Sequence, residues 1–319
     1  MTSIPDLSTA FDIDEVHLYL HRTFGQDEGY IALSFGDGYL ENGVYKFSIW
    51  QFSTANWPVS TKWPMSDAEI DALDEEVHKR VSEGQDIYIC PMLRTEPMRV
   101  KWTGAGGRTV WADLDGGAHI PKQLEDYVTL IASGSLGHYH AYIQLYDFVD
   151  PQTIERLNKA FMKVSHADKG KWANNDVLRL PGTVNFKHGT PVKTVKEAKY
   201  SVNSSELMHA LRFHLPHKSE VNPTPEEYEA VQVVEVVPIH KIPRLIRELL
   251  KEKSGDDRSR QSYFFIASCY EAGFSVDLTY TLALHHQPTV DKFSYRENGI
   301  KWEVLDVVRK LEAKHDGRR

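Results

Sequence analysis

The sequence predicts an α+β domain followed by a small all-α bundle. Three observations carry this. Strand-like runs alternate with amphipathic helical runs from the N-terminus to about residue 215. A stretch with four prolines and an acidic patch then fills residues 216–240. From Ile242 onward only helical patterns recur. The division that follows is 1–215 for the mixed domain, 216–240 for a linker and 241–319 for a helical C-terminal domain.

The elements can be read in order. Residues 12–22 form a short helix capped by Asp12 or Asp14. GYIALSF (29–35) and VYKFSIWQF (44–52) are rich in aromatic and β-branched residues and read as strands. Ser66 and Glu69 make a capping box for a helix that runs to about Ser82, with Ile70, Leu73 and Val77 on one face and Gly84 at its end. DIYICPML (86–93) reads as a strand, and a Gly-rich turn follows at 104–107. TVWADLD (109–115) is a strand ending in acids; a helix near 121–126 leads to the strand YVTLIAS (127–133). HAYIQLYDF (140–148) is another strand, and 151–165 is an amphipathic helix with Ile154, Leu157, Phe161 and Val164 on one side. In the C-terminal part, IPRLIRELLKEK, SRQSYFFIASCYEAG, SVDLTYTLALHH and WEVLDVVRKLEAK read as helices. Gly273 closes the second of these and Ser275 caps the third.

Composition excludes several classes. Apolar residues make up 41% of the 319, enough for a sizeable core. No run approaches ~18 consecutive apolar residues, so no membrane partner is expected. The N-terminus lacks a basic start followed by an apolar run, so it is not a secretory signal. Cys90 and Cys269 are too few for a disulfide framework or a cysteine-based zinc site, and both sit in apolar runs. A cytoplasmic location is expected. The net charge of −8 speaks against a nucleic-acid partner, but it hides an asymmetry. Between Glu155 and Tyr200 there are ten basic and four acidic residues. Such a stretch can form a phosphate-tracking face or a solvated helix surface; charge alone does not choose.

Three patterns carry chemistry. In Val110-Trp111-Ala112-Asp113-Leu114-Asp115-Gly116, Asp113 and Asp115 project to the same side of a strand. Two carboxylates so close repel unless a cation lies between them, and hard oxygen donors suit Mg²⁺ or Mn²⁺. The same spacing also fits a solvated turn. The second pattern, Ser133-Gly134-Ser135-Leu136-Gly137-His138-Tyr139-His140, combines small residues that let a backbone approach phosphates with histidines that could donate to a triphosphate oxygen. The third, Asn175-Asp176-Val177-Leu178-Arg179-Leu180-Pro181-Gly182-Thr183-Val184-Asn185-Phe186-Lys187, offers a further acid in Asp176 and cations for phosphate in Arg179 and Lys187, with Pro181-Gly182 as a turn between two short strands. Taken by itself it also fits a generic turn with flanking charges.

Together these patterns resemble the archaeo-eukaryotic primase superfamily, in particular the primase–polymerases that replicate phages and plasmids. The resemblance covers roughly residues 85–190, with DIYICPMLRTEPMR leading into WADLDGG and Asp-x-x-Arg-Leu-Pro-Gly-Thr-x-Asn-x-Lys as its most specific element. It implies an RRM-like α+β catalytic domain with mixed or antiparallel sheets flanked by helices, and a helical primase domain after it. It implies metal ligation by Asp113, Asp115 and Asp176, which would hold two divalent ions and no zinc. It implies contact of His140 with the incoming nucleotide, with Ser133, His138, Arg179 and Lys187 as further nucleotide contacts. The partners implied are a single-stranded DNA template and nucleoside triphosphates. The second motif departs from the family pattern, because His138 occupies the position of a small residue. No Gly-x-x-x-x-Gly-Lys-Ser/Thr occurs, so a replicative helicase would act in trans or as a fused C-terminal region missing from this chain.

A second reading competes. His138-Tyr139-His140 on a strand is also the pattern of replication-initiator or relaxase endonucleases, which hold one metal with two histidines and attack DNA with a tyrosine. None of the fifteen tyrosines is followed by the Tyr-x-x-Lys spacing common to such nucleophiles.

Overall fold

The computed structural model describes residues 11–41, 44–51, 62–216, 223, 225–235, 238–293 and 299–316. The chain divides into two compact units, residues 1–216 and 217–319.

The first unit is α+β, and its named strands all pair antiparallel. Its elements are α1 (Ile13–Phe24), β1 (Gly29–Tyr30), β2 (Leu33–Glu41), β3 (Val44–Gln51), β4 (Lys62–Trp63), α2 (Asp67–Ser82), β5 (Asp86–Ile89), β6 (Gly107–Leu114), β7 (Val128–Ala132), β8 (Tyr139–Val149), α3 (Pro151–Ser165), β9 (Leu178–Arg179), β10 (Val184–Asn185), β11 (Thr190–Pro191), β12 (Lys193–Lys196) and α4 (Ser204–Ala210). One four-stranded sheet has the order β3-β2-β5-β9 and the other β12-β7-β8-β6; β1 pairs with β4 and β10 with β11.

Local chemistry explains most boundaries. Asp12 caps α1 by accepting the Glu15 N–H, and the Ser66–Glu69 capping box opens α2. Gly84 follows α2 at φ +76°, a left-handed turn that favours glycine. Asp150 accepts the N–H groups of Gln152 and Thr153 at the start of α3, and Pro151 fills the first helical position. A single apolar core joins Val16, Leu20 and Phe24 of α1 to Val110 and Ala112 of β6, Ile143 of β8 and Leu157 and Phe161 of α3.

Several expected elements are shorter or broken. The run 29–35 is two strands, because Gly29 and Tyr30 pair with β4 while Leu33 onward pairs with β3 and β5. The run 86–93 is a strand only to Ile89; Pro91 lacks the N–H that a continuing ladder requires. The helix near 121–126 is a 3₁₀ helix over Lys122–Tyr127. Phe52 lies outside the described residues.

The second unit has α5 (Pro225–Ala230), α6 (Arg244–Leu249), α7 (Arg258–Glu271), α8 (Val276–Ala283), α9 (Gln287–Lys292) and α10 (Gly299–Asp316). Ser275 caps α8 by accepting the Leu278 N–H, and Gly273 stands at φ +80° after α7. Its own core gathers Ile246, Phe265, Ile266, Leu282, Val304 and Val308. Within residues 216–240, the helix α5 carries Glu227, which pairs with Arg309 of α10 at 3.2 Å. The short helix α9 has too few residues for a periodic signal and starts with Pro288 in its first turn. Among the described residues no helix is long and apolar enough to cross a membrane.

Candidate active site

The site grows from the end of β6. This strand lies at the edge of its sheet, so its outward polar groups need partners from elsewhere. Asn158 of α3, fully buried, accepts the Trp111 N–H at 2.8 Å. The Asp168 N–H, in the loop after α3, donates to the Asp113 carbonyl at 2.8 Å. Helix and loop thereby fix the strand that carries the aspartates.

On the inner side, Asp113 is directly opposite His140 of β8. Their side chains approach to 3.9 Å between Oδ1 and Nε2. Asp115, just past the end of β6, bonds His138 Nδ1 through Oδ1 at 2.6 Å. The two pairs differ in setting. Asp115 and His138 are substantially solvent-exposed, whereas His140 is 3% exposed. Burial, with Arg179 and Lys171 nearby, pushes the His140 imidazole down to about 3. It is therefore neutral near pH 7, and its Nδ1 has no hydrogen-bond partner among the described residues. Burial also pushes the Asp113 carboxyl up to about 7; Asp115 and Asp168 add to the rise, and Lys171 and Arg179 oppose it.

The Gly/Ser loop before His138 is closed on itself. Ser133 is buried, and both its N–H and its hydroxyl donate to the His138 carbonyl, at 3.1 and 3.3 Å. The Ser133 hydroxyl thus holds the loop shut. Asn185 of β10 reaches this loop, donating from Nδ2 to the Ser133 carbonyl at 3.0 Å and to the Ser135 hydroxyl at 3.3 Å. Thr190 adds a hydrogen bond to the Gly134 carbonyl. The second and third sequence patterns are therefore one physical unit.

The third pattern divides. Pro181-Gly182 does turn the chain between two short strands, but β9 pairs with β5 and β10 with β11, so the turn joins two different sheets. Gly182 stands at φ +82°, and a Cβ there would lie 2.2 Å from the Asp12 carbonyl oxygen. Arg179, on β9, is mostly buried and acts electrostatically on both Asp113 and His140. Lys187 lies exposed on the loop after β10. Asp176 is turned into its own loop, where Oδ2 accepts the Ala173 N–H at 2.7 Å. Burial raises its pKa; the Ala173 bond and the neighbours Lys171, Arg99 and Lys101 counter that rise. Lys171 is the neighbour it shares with Asp113.

Two residues that the sequence patterns passed over stand beside the aspartates. Asp168 touches Asp113 through its backbone and adds negative charge there. Lys171 influences Asp113, His140 and Asp176 together. Both sit in the loop His166–Trp172, which has no motif. The available signal was topological: α3 ends with His166 in the left-handed conformation, which sends the loop back beneath β6.

The donors suit a hard divalent cation. Asp113 is desolvated and repelled by two other carboxylates, a burden that a cation would relieve. Among the described residues no three His, Cys, Asp or Glu side chains already form a metal cage.

No protein-family model matches the chain, and no curated protein matches it. Among solved structures, the chain is similar to the AEP domain of the cyanophage S-2L primase-polymerase, 16% identical over 65% of this chain and 100% of that one, with a TM-score of 0.48. It is similar to the primase RepB′, 14% identical over 96% of this chain and 99% of that one, with a TM-score of 0.41. It is similar also to the catalytic domain of that primase in complex with initiator DNA, 14% identical over 63% and 93% of the two chains, again with a TM-score of 0.41.

Proposed function

We propose that this chain is a metal-dependent nucleotidyltransferase, a primase–polymerase that makes and extends primers on single-stranded DNA. The observation that carries the reading is the pairing of Asp113 with His140 across β6 and β8, beside Asp115 and within reach of the Arg179 charge. Carboxylates and a neutral imidazole stand side by side on β6 and β8, and the guanidinium charge acts on them from β9 of the other sheet.

Asp113 and Asp115 are the metal ligands in this reading, with Asp176 or Asp168 as the third acid. The chemistry that two Mg²⁺ or Mn²⁺ ions supply in such a site is activation of a hydroxyl and neutralisation of charge on a departing pyrophosphate. The residues of the chain do the rest. His140, kept neutral by burial, donates one N–H to a triphosphate oxygen and adds no charge of its own. Arg179 supplies the cationic partner for the phosphates. Asn185 and Thr190 hold the loop in front of His138 so that backbone can approach the nucleotide. The basic stretch 155–199 would track the template backbone.

The endonuclease reading needs His138 and His140 to converge on one ion. Here each imidazole faces its own aspartate, which favours the carboxylate-centred chemistry.

A primer-synthesis assay on random single-stranded DNA, with ribo- and deoxynucleotides supplied separately and Mg²⁺ or Mn²⁺ added, tests the proposal. The double variant Asp113→Ala, Asp115→Ala should lose at least ~10³-fold in rate with its circular dichroism unchanged. Near wild-type primer synthesis by that variant would overturn the assignment. A covalent protein–DNA adduct on single-stranded origin DNA would favour the endonuclease instead.

A further inference from the structure

Asp86 is a buried carboxylate with no task in the chemistry above. It opens β5, and its side chain has no solvent exposure. A carboxylate in such a place is costly to bury unless its partners are good. Its partners stand at the two ends of one loop. Oδ1 accepts the Phe186 N–H at 2.9 Å, and Oδ2 faces Arg179 Nη2 at 3.5 Å. The segment from Arg179 to Phe186 is thus clamped at both ends by one side chain.

Arg179 is held by a second group from the same strand. Tyr88, two residues beyond Asp86, is directly opposite Arg179 in the β5–β9 ladder. The guanidinium carbon sits 5.1 Å from the centre of the Tyr88 ring. Residues two apart on a strand face the same way, so carboxylate and ring grip the guanidinium together. Arg179 Nε is nevertheless buried with no hydrogen-bond partner among the described residues. The grip occupies part of the fork and leaves donors over, and the charge of Arg179 acts on both Asp113 and His140.

We propose that Asp86 is a positioning residue: it fixes Arg179 and the ends of its loop so that the unused guanidinium donors meet the phosphates of a nucleoside triphosphate at the Asp113–His140 edge. This rests on the nucleotidyl-transfer reading. A planar fork binds phosphate well only when its orientation is set in advance, and Asp86 with Tyr88 sets it.

The test uses the full chain and two readouts. The first is binding of inorganic tripolyphosphate by calorimetry without divalent ions; the second is KM and kcat for nucleotide incorporation. Asp86→Asn keeps the shape and the acceptor for Phe186 but removes the charge facing Arg179. It should weaken tripolyphosphate binding and raise nucleotide KM by about tenfold, with kcat changed less than about threefold. Adding Arg179→Gln to Asp86→Asn should weaken binding no further than Arg179→Gln alone. Tyr88→Leu removes the other half of the grip, so it should shift binding in the same direction and be equally non-additive with Arg179→Gln. It also decides the matter if Asp86→Asn does not fold.

Wild-type tripolyphosphate affinity in a folded Asp86→Asn or in Tyr88→Leu would overturn the proposal. So would effects that multiply with Arg179→Gln. A wild-type chain that binds tripolyphosphate through Arg179 and Asp86 but incorporates no nucleotide would sink the nucleotidyl-transfer reading and leave the role of Asp86 standing. A chain that incorporates nucleotide and is indifferent to Asp86→Asn would do the reverse.

Discussion

Asn185 and Gly134 are in tight apposition: a Cβ on Gly134 would lie 2.5 Å from the Asn185 Cβ, and Gly134 stands at φ +77°. Asn185 also holds the carbonyl of the preceding residue, Ser133. The loop before His138 therefore has one permitted shape, set from the far side by the stretch after Pro181-Gly182. Gly134→Ala should destabilise the first unit by roughly 1–3 kcal/mol, since it combines a disfavoured backbone with a clash. Chemical denaturation measures this, and an unchanged midpoint would contradict the packing described.

The two histidines should differ in their kinetic weight. His140 is buried opposite Asp113, while His138 is exposed and tied to Asp115. His140→Asn should lower nucleotide incorporation by about 10²-fold or more, in the range for loss of a positioned donor. His138→Asn should cost less than about tenfold, because Asp115 keeps its place at the end of β6. Steady-state incorporation assays on the two variants separate them; equal losses would remove the distinction.

The third acid can be found by comparing Asp168→Asn with Asp176→Asn. Asp168 lies against Asp113 through its backbone, and each acid accepts an N–H of its own loop, Asp168 Oδ1 from Gly170 at 3.0 Å and Asp176 Oδ2 from Ala173 at 2.7 Å. If Asp168 completes the ion site, its substitution should weaken Mn²⁺ binding by about tenfold or more, and that of Asp176 should alter stability more than ion affinity. Calorimetric Mn²⁺ titration reads the first quantity and thermal melting the second. The opposite pattern would identify Asp176 as the third acid, as the family resemblance implies.

A pH effect should come from the second unit. His286 is fully buried, stacks on Phe265 at 4.2 Å between ring centres, and pairs with the Thr289 hydroxyl at 2.8 Å through Nδ1. Burial lowers its pKa from 6.5 to about 4. The unfolded chain thus takes up a proton at a pH where the folded chain does not. Stability from this group is present above about pH 6.5 and drains away as pH falls toward about 4, a loss on the order of 3 kcal/mol. Denaturation at a series of pH values should show this slope, and His286→Asn should flatten it in that window. An equal slope in both proteins would refute the assignment.

Elements with local chemical signatures were legible in the sequence: the Ser66–Glu69 capping box, the amphipathic face of α3 and the Ser275 cap all stand where their residues place them. The pairing of Asp113 with His140 followed less directly. The patterns named both residues, but only strand register puts them face to face. What lies in tertiary folding was not legible. Nothing in the spacing of Asp168 or Lys171 announces that their loop returns to β6, and nothing in Asp86 announces a partner 93 residues away. Asp176 is named by its motif, but the bond of its Oδ2 to the Ala173 N–H is a local contact that the motif does not announce.

The edge position of β6 has one further consequence. Its outward N–H at Trp111 and carbonyl at Asp113 are already taken by Asn158 and Asp168 of the same chain. An extended peptide from another molecule would have to displace both bonds before pairing along the Asp113 end of the strand. Aggregation by strand addition is thereby opposed at the end of the strand that carries Asp113.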